Sequence, residues 1–173
     1  MTALHTVVMG VAGCGKSAVG ERIARELGLP LIEGDEFHPA ANIEKMRQGV
    51  ALDDSDRAGW LERLGRELAR YPGGAVLACS ALKRTYRDTL RRAVPALRFV
   101  HLALSQQQAQ ERVAQRGGHF YPPSLVASQF AALEDPAAEI GVLVLDACLP
   151  LEQVTQQAAS WLRGSGDSPA SPA

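Results

Sequence analysis

Eight consecutive residues, Gly10-Val11-Ala12-Gly13-Cys14-Gly15-Lys16-Ser17, satisfy the pattern GxxxxGK[ST]. The glycines of such a loop let successive backbone N–H groups curl around phosphate oxygens, and the helix that follows aims its positive end at them. Lys16 can then reach the β- and γ-phosphates, and the Ser17 hydroxyl ligates Mg2+. The pattern has this meaning only between a strand and a helix. The apolar run His5–Met9 in front and the helical period of Lys16–Leu27 behind supply both, so a glycine turn with a chance Lys-Ser pair is the weaker reading. Cys14 reads as a tolerated small residue of the loop, not as a nucleophile.

A phosphate cradle by itself does not separate a switch from a phosphotransferase. Guanine readers usually carry NKxD, and the one asparagine of this chain, Asn42, lies in "ANIEKM". A large motor or transporter ATPase is hard to fit into so short a chain. Arg112 and Arg116 point elsewhere, because at i and i+4 they share one helix face. A segment containing glycines and prolines, "GGHFYPP", follows them and could cover a site. The pair resembles the lid of nucleoside monophosphate and shikimate kinases, where the first arginine packs on adenine and the second touches the transferred phosphate. The alternative is an exposed basic helix end that suits the macrodipole. Small-molecule kinase is the reading these residues favour over a non-enzymatic nucleotide-gated module.

The elements that must hold these groups are legible from periodicity. Short β-rich runs at His5–Met9, Leu31–Glu33, Ala75–Cys79, Leu97–Leu104 and Val142–Asp146 alternate with helical stretches. The latter are Lys16–Leu27, Ala40–Gln48, Ser55–Tyr71, Lys83–Ala93, Ser105–Arg116, Ser124–Leu133 and Leu151–Arg163. Alternation of this kind predicts an α/β fold of three layers, with a five-stranded parallel sheet covered on both faces. The expected domain spans residues 1–163, with a small helical lid at about 112–133. The tail 164–173, "GSGDSPASPA" from Gly164, has almost nothing to bury and is expected to be disordered.

Composition narrows the partners. A net charge of −1 over 173 residues gives no reason to expect nucleic acid or an anionic membrane as partner. Three cysteines, Cys14, Cys79 and Cys148, show no zinc spacing. No apolar run approaches the roughly 18 residues of a bilayer span. No basic N-terminal flank marks a secretory signal. The expectation is a cytoplasmic protein with reduced thiols.

The acceptor side should follow the second strand, because ligands of open parallel sheets gather beyond the carboxyl ends of strands. Asp35 stands there and could accept the proton of an attacking hydroxyl or hold a Mg2+-bound water. His38 is a candidate polar substrate contact or a structural histidine. Asn42, Lys45 and Arg47 lie on or near one short helix, whose plain alternative is a solvated surface.

Three blocks make the likeness specific: "GDEFHPAANIEKMRQGVALDDSDRAGWL", "CSALKRTYRDTLR" and "GHFYPPSLVASQFAALEDP". Together they resemble the gluconokinases of the thermoresistant type, within the P-loop kinase superfamily, in order from about Val7 to Trp161. The resemblance implies ATP-dependent transfer to the 6-hydroxyl of D-gluconate, with Mg2+, and a homodimer. Shikimate-type and nucleoside monophosphate kinases are the rivals on the same scaffold. By order, Arg57 matches the arginine that holds the carboxylate in shikimate kinases, and an arginine fork suits such a group. Ser80, Lys83 and Arg87 follow the third strand and are placed on the other wall of the acceptor site, Lys83 being the second candidate for the carboxylate. The substrate set is thus Asp35, His38, Arg47, Arg57, Ser80, Lys83 and Arg87. The catalytic set is Lys16, Asp35 and Arg116, with the phosphates held by Gly10 to Ser17, Arg112 and Arg116. One departure stands out: Cys79 occupies the place where many P-loop proteins carry an aspartate for magnesium.

Overall fold

The computed structural model describes residues 3–116 and 122–164. Most of the expected tail, and the middle of the lid block with His119, lie outside these residues. The chain runs β1 (Leu4–Met9), α1 (Lys16–Leu27), β2 (Leu31–Glu33), α2 (Ala40–Arg47), α3 (Asp54–Ala69), β3 (Gly74–Ala78), α4 (Arg84–Ala93), β4 (Arg98–Ala103), α5 (Gln106–Gln115), α6 (Pro123–Ala132), β5 (Val142–Asp146) and α7 (Leu151–Gly164). Every expected strand and helix is present, with ends shifted by one or two residues. A 3-10 turn over Gly34–Phe37, between β2 and α2, is an element that periodicity did not announce.

The five strands form one parallel sheet in the order β2-β3-β1-β4-β5. Interior β3 is buried along its whole length, and central β1 over its last four residues, so both read as near-continuous apolar runs. The apolar faces of α1 and α7 cover one side of the sheet with Val19, Ile23, Ala158 and Leu162. Trp60, Leu61, Leu64 and Leu68 of α3, with Leu90 of α4, cover the other. The i, i+3, i+7 leucines of α3 are therefore core, as their spacing requires.

Local chemistry sets the helix ends. Asp53 and Asp56 form a reciprocal capping box at the start of α3, and Ser105 and Gln108 form another at α5. Gly28 closes α1 in the left-handed conformation, returning its N–H to the carbonyls of Ala24 and Arg25. At Gly34 a Cβ would lie 2.6 Å from the Ala78 carbonyl oxygen, so only glycine lets the chain leaving β2 pass this close to β3. That close approach brings Asp35 to the carboxyl end of the sheet.

Candidate active site

A cleft of about 670 Å³ opens at the carboxyl ends of β1, β2 and β3. Its floor is the cradle loop, contributing Ala12, Gly13, Gly15, Lys16 and Ser17. Gly10, Val11 and Cys14 are buried behind that surface. Gly13 adopts φ +83°, and a Cβ there would meet the Ala109 carbonyl at 3.2 Å and Val113 at 3.3 Å, so α5 packs directly on the loop. The Lys16 ammonium donates to the Val11 carbonyl at 3.1 Å. Ser17 Oγ donates to Glu33 Oε2 at 2.9 Å, which the sequence reading missed. The signal was the position of Glu33 as the last residue of β2, at the carboxyl end of the sheet where the cradle also lies.

A hydroxyl beside a carboxylate is a hard oxygen set, which fits Mg2+ that keeps waters and phosphate oxygens as its remaining ligands. Among the described residues no cluster of three or more histidine, cysteine or carboxylate side chains forms a closed metal cage. Burial pushes the Cys79 thiol up to about 12, so it stays protonated and replaces the missing aspartate only as a small apolar group.

The wall expected to meet the acceptor lines the same cleft. Asp35 is exposed and lines the cleft beside His38, whose Nε2 stands 3.9 Å from Asp35 Oδ1. The imidazole stacks on Trp60 with ring centroids 4.0 Å apart and planes 16° from parallel. The indole N–H of Trp60 donates to the Gly34 carbonyl at 2.8 Å, tying α3 to the turn that carries Asp35. Burial lowers the His38 pKa below its ordinary value; Asp35 opposes this and Arg57 adds to it. Arg57, in the first turn of α3, also lines the cleft and is only 8% exposed. Its Nε has no hydrogen-bond partner, and no carboxylate among the described residues pairs with it. Its guanidinium carbon lies 5.5 Å from the Tyr86 ring centre, a cation–π contact that supports the group without neutralising it. Ser80 completes this wall, and its carbonyl accepts from the Gly10 N–H at 3.3 Å.

Three expected contacts stand elsewhere. Arg87 does not face the cleft: it is fully buried, with all five N–H groups engaged. Glu139 takes two of them at 3.0 and 2.6 Å, and the carbonyls of Ala81, Leu82 and Glu134 take the others. The residue is a structural rivet between α4, the loop after β3 and the segment after α6. Sequence order put it on the acceptor wall; the helical turn of α4 rotates it inward. Lys83 lies outside the cleft lining and pairs with Asp54 at 2.9 Å, where Tyr86 also donates. Arg47 is exposed at the end of α2, also outside the lining.

Arg116 does line the cleft, next to Val113. Arg112 sits beneath the cradle, donating to the carbonyls of Gly13 and Cys14 at 3.1 and 3.4 Å and to Ala147 at 2.8 Å. It thereby joins the loop to the "DACLPL" segment after β5. Gln129 of α6 was quoted in the lid block without a role, yet its Oε1 accepts from the Ala12 N–H at 2.6 Å. That contact spans 117 residues of chain.

The comparisons with known proteins agree with this geometry. Residues 6–138 match the model of the AAA domain family. The thermosensitive gluconokinase of Escherichia coli K12 is 41% identical over 155 residues, covering 87% of this chain and 83% of the relative. The thermoresistant gluconokinase of the same organism is also 41% identical, covering 86% of this chain and 87% of the relative. The chain belongs to the gluconokinase family. A crystal structure of a gluconokinase from Sinorhizobium meliloti 1021 superposes with a TM-score of 0.87 at 45% identity, covering 94% of this chain and 93% of that one. The equal match to both E. coli forms makes the likeness one to gluconokinases at large, not to the thermoresistant type alone. A five-stranded parallel sheet with this cradle is the P-loop kinase fold.

Proposed function

We propose that the chain transfers the γ-phosphoryl group of ATP to the 6-hydroxyl of D-gluconate, giving 6-phospho-D-gluconate and ADP. The observation that carries this reading is Arg57. A guanidinium buried to this degree with an unpartnered Nε and no carboxylate in ion-pair contact is costly, and an anion in the cleft would offset that cost. A sugar acid brings one carboxylate at one end and an alcohol at the other, matching Arg57 and Asp35 across a single cavity.

In this reading the amides from Gly10 to Ser17 and the Lys16 ammonium hold the phosphates, with Arg116 meeting the charge that develops on the transferred group. Arg112 borders the nucleotide through its contact with Ala147. Ser17 would hold Mg2+, with Glu33 accepting from its hydroxyl; the ion would supply neutralisation of the phosphate charge. Asp35 orients the attacking hydroxyl and receives its proton. Because the transition state is loose, orientation matters as much as proton removal.

Release of ADP, followed with gluconate, shikimate and the four nucleoside monophosphates in turn, tests the substrate. Stimulation by gluconate alone is expected; stimulation by shikimate or AMP without gluconate would replace it. Asp35→Asn is expected to lower kcat by about a hundredfold or more while leaving the KM for ATP unchanged. Wild-type turnover in that variant removes Asp35 from the mechanism.

A further inference from the structure

Asn42, only 3% exposed in α2, decides where the proton of His38 sits. Its Nδ2 lies 2.9 Å from the Asp56 carbonyl oxygen and 3.3 Å from His38 Nδ1. A carbonyl oxygen only accepts, so the atom facing it is the amide NH2. The second N–H of that group faces His38 Nδ1, which must therefore be the unprotonated, accepting nitrogen. The ring proton is left on Nε2, the nitrogen aimed at Asp35. Stacking on Trp60 prevents the ring from turning over. The charges facing this imidazole are Asp35 and Arg57; burial, with Arg57 in the same direction, outweighs Asp35, so the ring is neutral near pH 7.

The 3.9 Å between Nε2 and Asp35 Oδ1 is too long for a direct hydrogen bond. One oxygen can nevertheless stand within about 2.8 Å of both atoms at once. Such an oxygen must accept from an N–H and donate to a carboxylate. An alcohol does both, whereas ionised phosphate and carboxylate oxygens cannot donate. We propose that His38 Nε2–H and Asp35 together seat the reacting hydroxyl of the acceptor, with Asn42 as the positioning residue that fixes the required tautomer. The proposal rests on the phosphotransferase reading above. In the transfer, one oxygen lone pair is held by His38 and the other attacks the γ-phosphorus. The new O–P bond forms as the P–O bond to ADP breaks, the hydroxyl proton passes to Asp35, and ADP leaves. Protonating His38 would set an Nδ1–H against the Asn42 N–H, two donors face to face, so the seat is lost on acidification.

Two histidine variants of the full chain separate a hydroxyl seat from a merely structural ring. His38→Gln keeps an amide N–H close to the Nε2 position, whereas His38→Asn carries its amide near Nδ1 and offers nothing to the hydroxyl. His38→Asn is expected to lower kcat with gluconate by about a hundredfold, His38→Gln to retain most of it, and both to keep the wild-type KM for ATP. Asn42→Asp gives Nδ1 an acceptor, so the protonated ring is satisfied and still presents Nε2–H. The loss of kcat/KM that His38 causes on acidification should disappear, and activity should fall instead as the ring deprotonates and keeps its proton on Nδ1. Nitrogen NMR of the wild-type imidazole at neutral pH should show the proton on Nε2. Equal activity in the two His38 variants, or a proton on Nδ1, overturns the proposal. A wild-type protein that ignores gluconate would instead overturn the substrate reading, and the nitrogen spectrum would still decide the tautomer.

Discussion

Arg57 and Arg87 are two buried arginines on packed neighbouring helices, and sequence order assigns both to the acceptor. Arg87 spends every donor on the protein: Glu139 neutralises it and three backbone carbonyls finish the set. Arg57 retains an unpartnered Nε, rests against an aromatic ring and borders the cleft. Burial therefore does not distinguish a structural cation from a ligand-binding one. What distinguishes them is the count of N–H groups left without an acceptor after the protein has folded.

The sharpest way to break this contrast is Arg87→Met. Removing the fully buried partner leaves Glu139 with the more exposed Arg91 alone and strands the carbonyls of Ala81, Leu82 and Glu134, at a cost of about 3–5 kcal/mol. Denaturant unfolding should register that loss, while the kcat/KM for gluconate per folded molecule stays at the wild-type value. A stable variant with weakened gluconate binding would return Arg87 to the site. Acid supplies a second reading of the same pair. Burial pushes the Glu139 pKa up, but Arg87 and Arg91 outweigh it and hold it below the ordinary value of 4.5. Its stabilising share is thus present above that value and lost as pH falls through the lowered pKa, and Arg87→Met should weaken this acid dependence.

Arg57→Met is the complementary experiment, with an effect on binding. Loss of a charge-assisted contact of about 3 kcal/mol lowers the kcat/KM for gluconate about a hundredfold and leaves the KM for ATP unchanged. Stability should hold or rise, because a buried charge with no carboxylate in ion-pair contact has been removed. Glucitol, which carries the same hydroxyl chain without the carboxylate, should be handled alike by wild type and variant. A variant that discriminates against glucitol as strongly as wild type does would show that another cation meets the carboxylate.

The contrast also marks how far the sequence could be read. The cradle was legible because its signal is contiguous: glycines, Lys16 and Ser17 act through backbone geometry that eight residues encode together. The sheet and helices were legible because burial imposes periods that repeat along each element. Asp35 was placed by its position after β2, a rule of topology. What stayed hidden were contacts between distant segments, whose residue types look ordinary one at a time. Glu33 read as a strand end until Ser17 was found donating to it. Arg87 read as an acceptor residue because Glu139, which claims it, lies 52 residues away. The pair His38 and Asn42 was visible as i, i+4 spacing, but the tautomer it sets depends on the Asp56 carbonyl of another helix.

Gln129 extends the same donor accounting to the nucleotide side, with the smallest expected effect. Its contact with Ala12 joins α6 to the cradle, so a weakened contact should be felt by ATP and not by the sugar acid. Gln129→Met keeps length and packing but accepts poorly. A net hydrogen bond of about 1 kcal/mol predicts about a fivefold loss of affinity for a non-hydrolysable ATP analogue in calorimetry, with the KM for gluconate unchanged. The carboxylate of Gln129→Glu still accepts from Ala12, yet sets a negative charge beside the phosphates, so it should weaken the nucleotide further than methionine does. If the glutamate variant binds the analogue better than the methionine variant, acceptance from Ala12 outweighs the added charge. If both variants lose gluconate affinity and keep that for the analogue, α6 serves the acceptor wall, and the division between the two sides of the cleft has to be redrawn around it.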